Sequence, residues 1–310
     1  MIYGTNIRKN EFKGKCIVTF VDILGFGRML IVSLLILFPI LVMAQASGGQ
    51  IKKPNKKVSK VSIRALSKRE LSAKYDEIWN YEEGLAQVKH NDKWGFINKQ
   101  GKEVIPLQYD DVSSFSEGLA TVKLNGKWGV IDKTGNIEIP PKYDFIYPFK
   151  EGLASVMLNN KWGFIDKTGN EVIPLHYDSA WFFSEGLTSV RQNGKYGYID
   201  KTGNVIIQFI LDDASSFSDG LARVKQNGKW GVVDNKGGIV VPFIYDDLNL
   251  FSEGLARVKL NGKYGFIDKA GNIVVPIIYD YTGTWFSYGK VEVRRNGETY
   301  NINKQGVRIR

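Results

Sequence analysis

The chain has 310 residues but only one cysteine, two histidines and nine prolines. Cys16 lies ahead of all the repeated text, so the remainder of the chain has no disulfide and no Cys nucleophile. His90 and His176 sit at unrelated positions, neither in a metal-ligand spacing, so no metal site is expected. There is no Gly-x-Ser-x-Gly elbow and no phosphate loop. The adjacent acids Asp110–Asp111 and Asp246–Asp247 are the nearest approach to paired carboxylates. Neighbours on a strand face opposite ways, and nearly every acid recurs at a repeat position, as scaffold residues do. A glycosidase-like pair assembled across units is the one enzymatic form left. The expectation is a non-enzyme with no catalytic residue and no cofactor.

Basic charge is also missing from most of the chain. Of the net charge of +10, residues 1–74 supply +11, leaving 28 basic and 29 acidic residues over 75–310. A phosphate-binding groove needs Lys and Arg clustered in the fold itself, so no nucleic-acid partner is expected. Residues 29–43 form an apolar run preceded by Lys9, Lys13, Lys15 and Arg28 and followed by Ala44-Gln45-Ala46. This pattern predicts a signal peptide over 1–46, cleaved before Ser47, and export to the periplasm or cell surface. An uncleaved anchor is the alternative, and membrane contact is expected through that segment alone. Residues 47–74, Lys-rich with Pro54, read as a basic linker, although Val61, Ala65 and Leu66 have helical spacing.

What the chain has is repetition. Gly84, Gly118, Gly152, Gly186, Gly220 and Gly254 recur every 34 residues. So do the aromatics Trp94, Trp128, Trp162, Tyr196, Trp230 and Tyr264, each between Lys and Gly. A fixed period of this size signals a repeat architecture. Seven units follow: 75–108, 109–142, 143–176, 177–210, 211–244, 245–278 and a degenerate 279–310. In the second, Leu119–Leu124 alternates apolar and polar residues, Asn125-Gly126 marks a tight hairpin, and Lys127–Asp132 forms the next strand. A third strand, Ile137–Ile139, is expected to stop at Pro140, with a short fourth strand possible in the Tyr-Asp loop. Apolar residues occupy both faces of Lys127–Asp132, so neighbouring units must stack on it. The six Lys-flanked aromatics are then interface core, and Gly129 leaves room for a neighbouring ring.

The text Tyr-Asp…Phe-Ser-Glu-Gly-Leu-Ala-x-Val-Lys-x-Asn-Gly-Lys-Trp-Gly-Phe-Ile-Asp-Lys-Thr-Gly resembles the WG-repeat, or KWG-repeat, family of bacterial proteins. The match is full over 75–280 and weak over 281–310, with Tyr196 and Tyr264 replacing Trp and Gln208 replacing the usual Pro. The resemblance implies secreted or surface placement and a binding role, and it carries over no catalytic residue.

The fold class expected is all-β, a tandem array of seven antiparallel meanders. An open stack and a closed seven-bladed propeller-like ring both fit the count. The seventh unit favours the open stack. Thr299, Asn301 and Lys290 turn one of its faces polar while Ile302 stays apolar, as a terminal unit requires. Function is sought in departures from the consensus. Trp79, Tyr147 and Trp181 stand four residues after their units' first residue, where other units have Ser113, Ser215 or Asn249; Trp285 lies nearby in the seventh. Such aromatics either bind an unknown protein or cell-surface glycan, or pack locally in a structural spacer of the envelope.

Overall fold

The computed structural model describes residues 65–309. The expected signal segment, and residues 47–64 of the expected linker, lie outside them. From Glu77 to Ile309 the chain forms seven four-stranded antiparallel sheets in tandem. In the second, strands Asp111–Val112, Leu119–Leu124, Lys127–Asp132 and Ile137–Tyr143 are neighbours in chain order. Asn125 and Gly126 take φ of 52° and 79°, the paired positive values of a type I′ turn. Glu117 and Gly118 do the same, at 53° and 87°. Ser116 and Leu119 exchange backbone hydrogen bonds across them, at 2.9 and 3.1 Å. Ser-Glu-Gly-Leu is thus a second tight turn, where the sequence suggests only a loop running into a strand.

The last strand does not stop at Pro140. Val130 pairs with Ile139 and Trp128 with Tyr143, leaving Pro140, Pro141 and Lys142 bulged opposite Gly129. A bulge is one of the few places in a ladder that tolerates a residue without an N–H. A Cβ on Gly129 would sit 2.6 Å from the Ile139 carbonyl oxygen and 2.7 Å from the Pro141 nitrogen. The glycine therefore admits the backbone of its own sheet, which corrects the expectation that it makes room for a neighbouring ring.

Consecutive sheets pack face to face. Trp94, Phe96, Ile105 and Tyr109 of the first form one core cluster with Phe115, Ala120, Val122 and Ile131 of the second. Trp128 and Trp230 recur in the matching clusters further on. Trp94, Trp128 and Trp230 are buried, whereas Trp162, Tyr196 and Tyr264 are half-buried. The repeat's polar consensus residues tie the junctions together. Lys93 Nζ lies 2.7 Å from Oδ1 of Asp110, the residue that links the first sheet to the second. The same pairing joins Lys127 to Asp144, Lys161 to Asp178, Lys195 to Asp212, Lys229 to Asp246 and Lys263 to Asp280. The carboxylate of Glu83 accepts from the next sheet's Gly118 N–H at 3.0 Å and pairs with Lys133 at 2.9 Å.

Both ends of the stack are closed off by something other than a sheet. The helix α1 (Lys68–Lys74), opened by a Ser67–Glu70 capping box, occupies residues expected to be linker. Its Leu71 packs against Ala86, Val88 and Ile97 on the outer face of the first sheet. On the seventh sheet Lys290, Glu292, Arg294, Thr299 and Asn301 are exposed while Val291, Val293 and Ile302 are buried inward. A ring would have to press these polar residues and that helix-covered face together. The array is an open stack.

Candidate functional site

The Tyr-Asp loops lie at one repeat position, so their side chains form a row along the stack. Trp79 and Trp181 share that position and are 55 and 42 % exposed; in the seventh unit Gly283 holds it, and Trp285, two residues on, is 62 % exposed. Tyr147 is half-buried and runs nearly parallel to two rings, Trp162 at 5.6 Å and Trp181 at 6.1 Å between centroids. Phe145 meets Trp128, Tyr147 and Trp162 within 6.0 Å. A continuous aromatic cluster thus runs from the buried Trp128 of the second sheet to the exposed Trp181 of the fourth. Trp79 is separate, edge-on to Trp94 at 5.8 Å. Trp285 lies at the far end, in the seventh sheet's loop. The four residues singled out in the sequence therefore form one pair, Tyr147 with Trp181, and two outliers.

The acids have structural partners. Asp110 and Asp246 hold the junction lysines, Asp111 accepts from the Val112 N–H, and Asp247 pairs with Arg257 at 3.2 Å. Among the described residues no cluster of three or more His, Cys, Asp or Glu is placed to hold a metal ion.

The sequence profile of the family described as "WG containing repeat" matches residues 71–94, 94–128, 128–162, 162–196, 196–230, 230–264 and 264–298. The chain belongs to this WG-repeat family. No curated protein matches it. Among solved structures it is similar to Hsv2 of Kluyveromyces lactis, at 8 % identity and a TM-score of 0.41, covering 70 % of this chain and 89 % of that one. It is also similar to PorZ, a surface component of the type-IX secretion system of Porphyromonas gingivalis. That match has 9 % identity and a TM-score of 0.35, covering 76 % of this chain and 37 % of that one.

One property of the WG units is visible only in three dimensions. Glu83, Glu117, Glu151 and Glu185 each accept a hydrogen bond from the next unit's turn glycine, at 2.9–3.0 Å. Glu117 and Glu151 also pair with Lys167 and Lys201, as Glu83 does with Lys133. The fifth unit has Asp219 instead, one methylene shorter. It reaches Lys269 at 3.0 Å but makes no bond to Gly254, and its side chain is 72 % exposed against 29–32 % for those three glutamates. An inserted residue moves Gly289 at the next junction, and Glu253 makes no such bond there. Cavities of about 320 and 350 Å³ lie at these two junctions. Arg223, Leu250 and Phe251 line both, so the cavities adjoin as one groove. Sequence reasoning passed over these residues, although Ser-Asp-Gly for Ser-Glu-Gly was a readable signal.

Proposed function

We propose that this WG-repeat stack is an exported, non-enzymatic binding module that holds a protein or cell-surface glycan through its loop-edge aromatics. The observation that carries the reading is the exposure of Trp79 and Trp181, which share one repeat position, and of Trp285 in the seventh unit's loop. A spacer without a ligand gains nothing from large exposed rings such as Trp79 and Trp181 at the position that other units fill with Ser113, Ser215 or Asn249. Indole faces suit both partner classes, stacking on sugar rings or anchoring in a protein pocket. Family membership and the repeat fold support an interaction role. Export rests on the N-terminal apolar run, and N-terminal sequencing of the exported chain should read Ser47.

The test is the double change Trp79→Ser and Trp181→Ser. Serine is native at the matching place in two other units, so the melting temperature should shift by no more than a few degrees. Retention in affinity electrophoresis against cell-wall glycans, or capture of envelope proteins, should fall at least tenfold. A melt lowered by many degrees would show that the rings pack locally and sink the binding edge. An unchanged melt with unchanged retention would favour the spacer.

A further inference from the structure

The groove at the fifth and sixth junctions has its own chemistry. Its inner part is apolar, lined by Phe217, Leu221, Val232 and Phe251, with Leu250 62 % exposed at its lip. Two cations line it, and they differ: Lys269 is paired with Asp219 at 3.0 Å, whereas Arg223 has no acid partner among the described residues. The guanidinium of Arg223 lies 4.1 Å over the Trp230 ring and donates through Nη1 to the Leu248 carbonyl oxygen at 2.8 Å. Its Nε is buried and unbonded, as is that of Arg257, but among the described residues neither an ion pair nor a hydrogen bond engages the Nη2 of Arg223.

Comparison within the chain shows what is unusual. Arg257 holds the same place in the next unit and pairs with Asp247 at 3.2 Å. The corresponding acid beside Arg223 is Asp213, which accepts from the Ala214 N–H instead. In the first unit the place belongs to Gln87, which donates to the Val112 carbonyl oxygen at 3.2 Å, so a neutral amide suffices for stacking. A half-buried cation without a counterion is costly to keep, and an anion arriving from outside relieves that cost. A carboxylate is the planar match of a guanidinium edge.

We propose that this groove binds a carboxylate carried beside an apolar side chain, the chemistry of a peptide C-terminus ending in a residue such as leucine. The carboxylate meets Arg223, and the side chain enters the apolar part that Asp219 leaves open. A sugar acid offers the same charge but surrounds it with hydroxyls, which would lose water against Phe217, Leu221 and Phe251 without regaining partners. The site is separate from the Tyr147–Trp181 surface; Trp285 lines its outer cavity, so its test leaves Trp79, Trp181 and Trp285 unchanged and reads the groove through Arg223 and Asp219.

The probe is an N-acetylated tripeptide ending in leucine, titrated into the full chain and followed by isothermal titration calorimetry. The free acid should bind at least tenfold more tightly than its C-terminal amide. Arg223→Gln, the residue native to the first unit, should abolish that preference while the melt stays within a few degrees. Asp219→Glu supplies the missing turn-closing carboxylate, so it should narrow the groove, weaken the free acid at least fivefold and leave the melt equal or higher. If Arg223→Gln fails to fold, Asp219→Glu decides alone. Equal binding of acid and amide, undiminished binding by either folded variant, or tighter binding of galacturonate than of the tripeptide would overturn the proposal.

Discussion

At the scale of single residues, equivalent positions in the repeat carry unequal weight. Trp128 is 8 % exposed, with Val130, Ile139 and Ile165 in its cluster. Trp162 is half-buried and shares its ring with Tyr147 at the surface. Trp128→Ala should therefore cost about 3–5 kcal/mol, the range for a large side chain deleted from a core. Trp162→Ala should cost about 1–3 kcal/mol, because water already reaches part of the site. Denaturant unfolding of the two variants side by side checks the order. Equal losses would mean that burial in a stacked interface does not govern the energetics.

At the scale of elements, each unit is held by its turns. The Asp166-Lys167-Thr168-Gly169-Asn170 turn closes on the Asp166 carboxylate, which accepts from the Thr168 hydroxyl at 2.7 Å and from the amides of Thr168 and Asn170 at 2.9 and 3.0 Å. The Thr168 hydroxyl is the largest influence on this carboxyl. With the other donors it outweighs desolvation and holds the group down at about 2, against an ordinary 3.8. A depressed carboxyl contributes stability that is complete above its unfolded value and lost as pH falls towards its folded value. The contribution from this turn should thus disappear between about pH 4 and pH 2. Carboxyl NMR should place the Asp166 midpoint near 2 in the native chain and clearly higher in Thr168→Ala. An unchanged midpoint would remove the hydroxyl from this explanation.

At the scale of the whole array, stability is a sum over junctions and two ends. The junction aspartates, from Asp110 through Asp280, are all held below the ordinary carboxylate range, first by their lysine partners. These pairs are exposed, and each contributes little. The apolar faces between sheets supply most of the association, which makes the ends vulnerable. α1 covers the first sheet's outer face through Leu71, and Leu66 N donates to the Gln100 carbonyl oxygen at 3.2 Å beside it. A chain starting at Tyr75 should expose Ala86, Val88 and Ile97. Compared with one starting at Ala65, it should self-associate in light scattering or melt several degrees lower. A monomer with an unchanged melt would show that the helix does not cap the stack.

Much of the architecture could be read from the text because its rules are local. Asn125-Gly126 specifies a hairpin within two residues, and alternation over Leu119–Leu124 specifies a strand within six. The loss of apolar residues at Thr299 and Asn301 marked the exposed end of an open array. Trp79, Trp181 and Trp285 stood out as departures from a repeat. Tertiary structure alone decided what depended on residues distant in the chain or on backbone geometry across a sheet. Gly129 is required by a bulge eleven to thirteen residues on, and Lys93 meets Asp110 because Trp94 pairs with Tyr109 across one antiparallel ladder, seventeen residues apart in the chain. Residues 68–74 are a helix because an apolar face was there to receive Leu71, not because seven residues of this composition hold a helix unaided. Whether a tryptophan is exposed, or an arginine lacks its acid, depends on which surfaces the neighbouring units cover. A periodic sequence specifies its units through short-range chemistry, and packing between the units determines which deviations reach the surface.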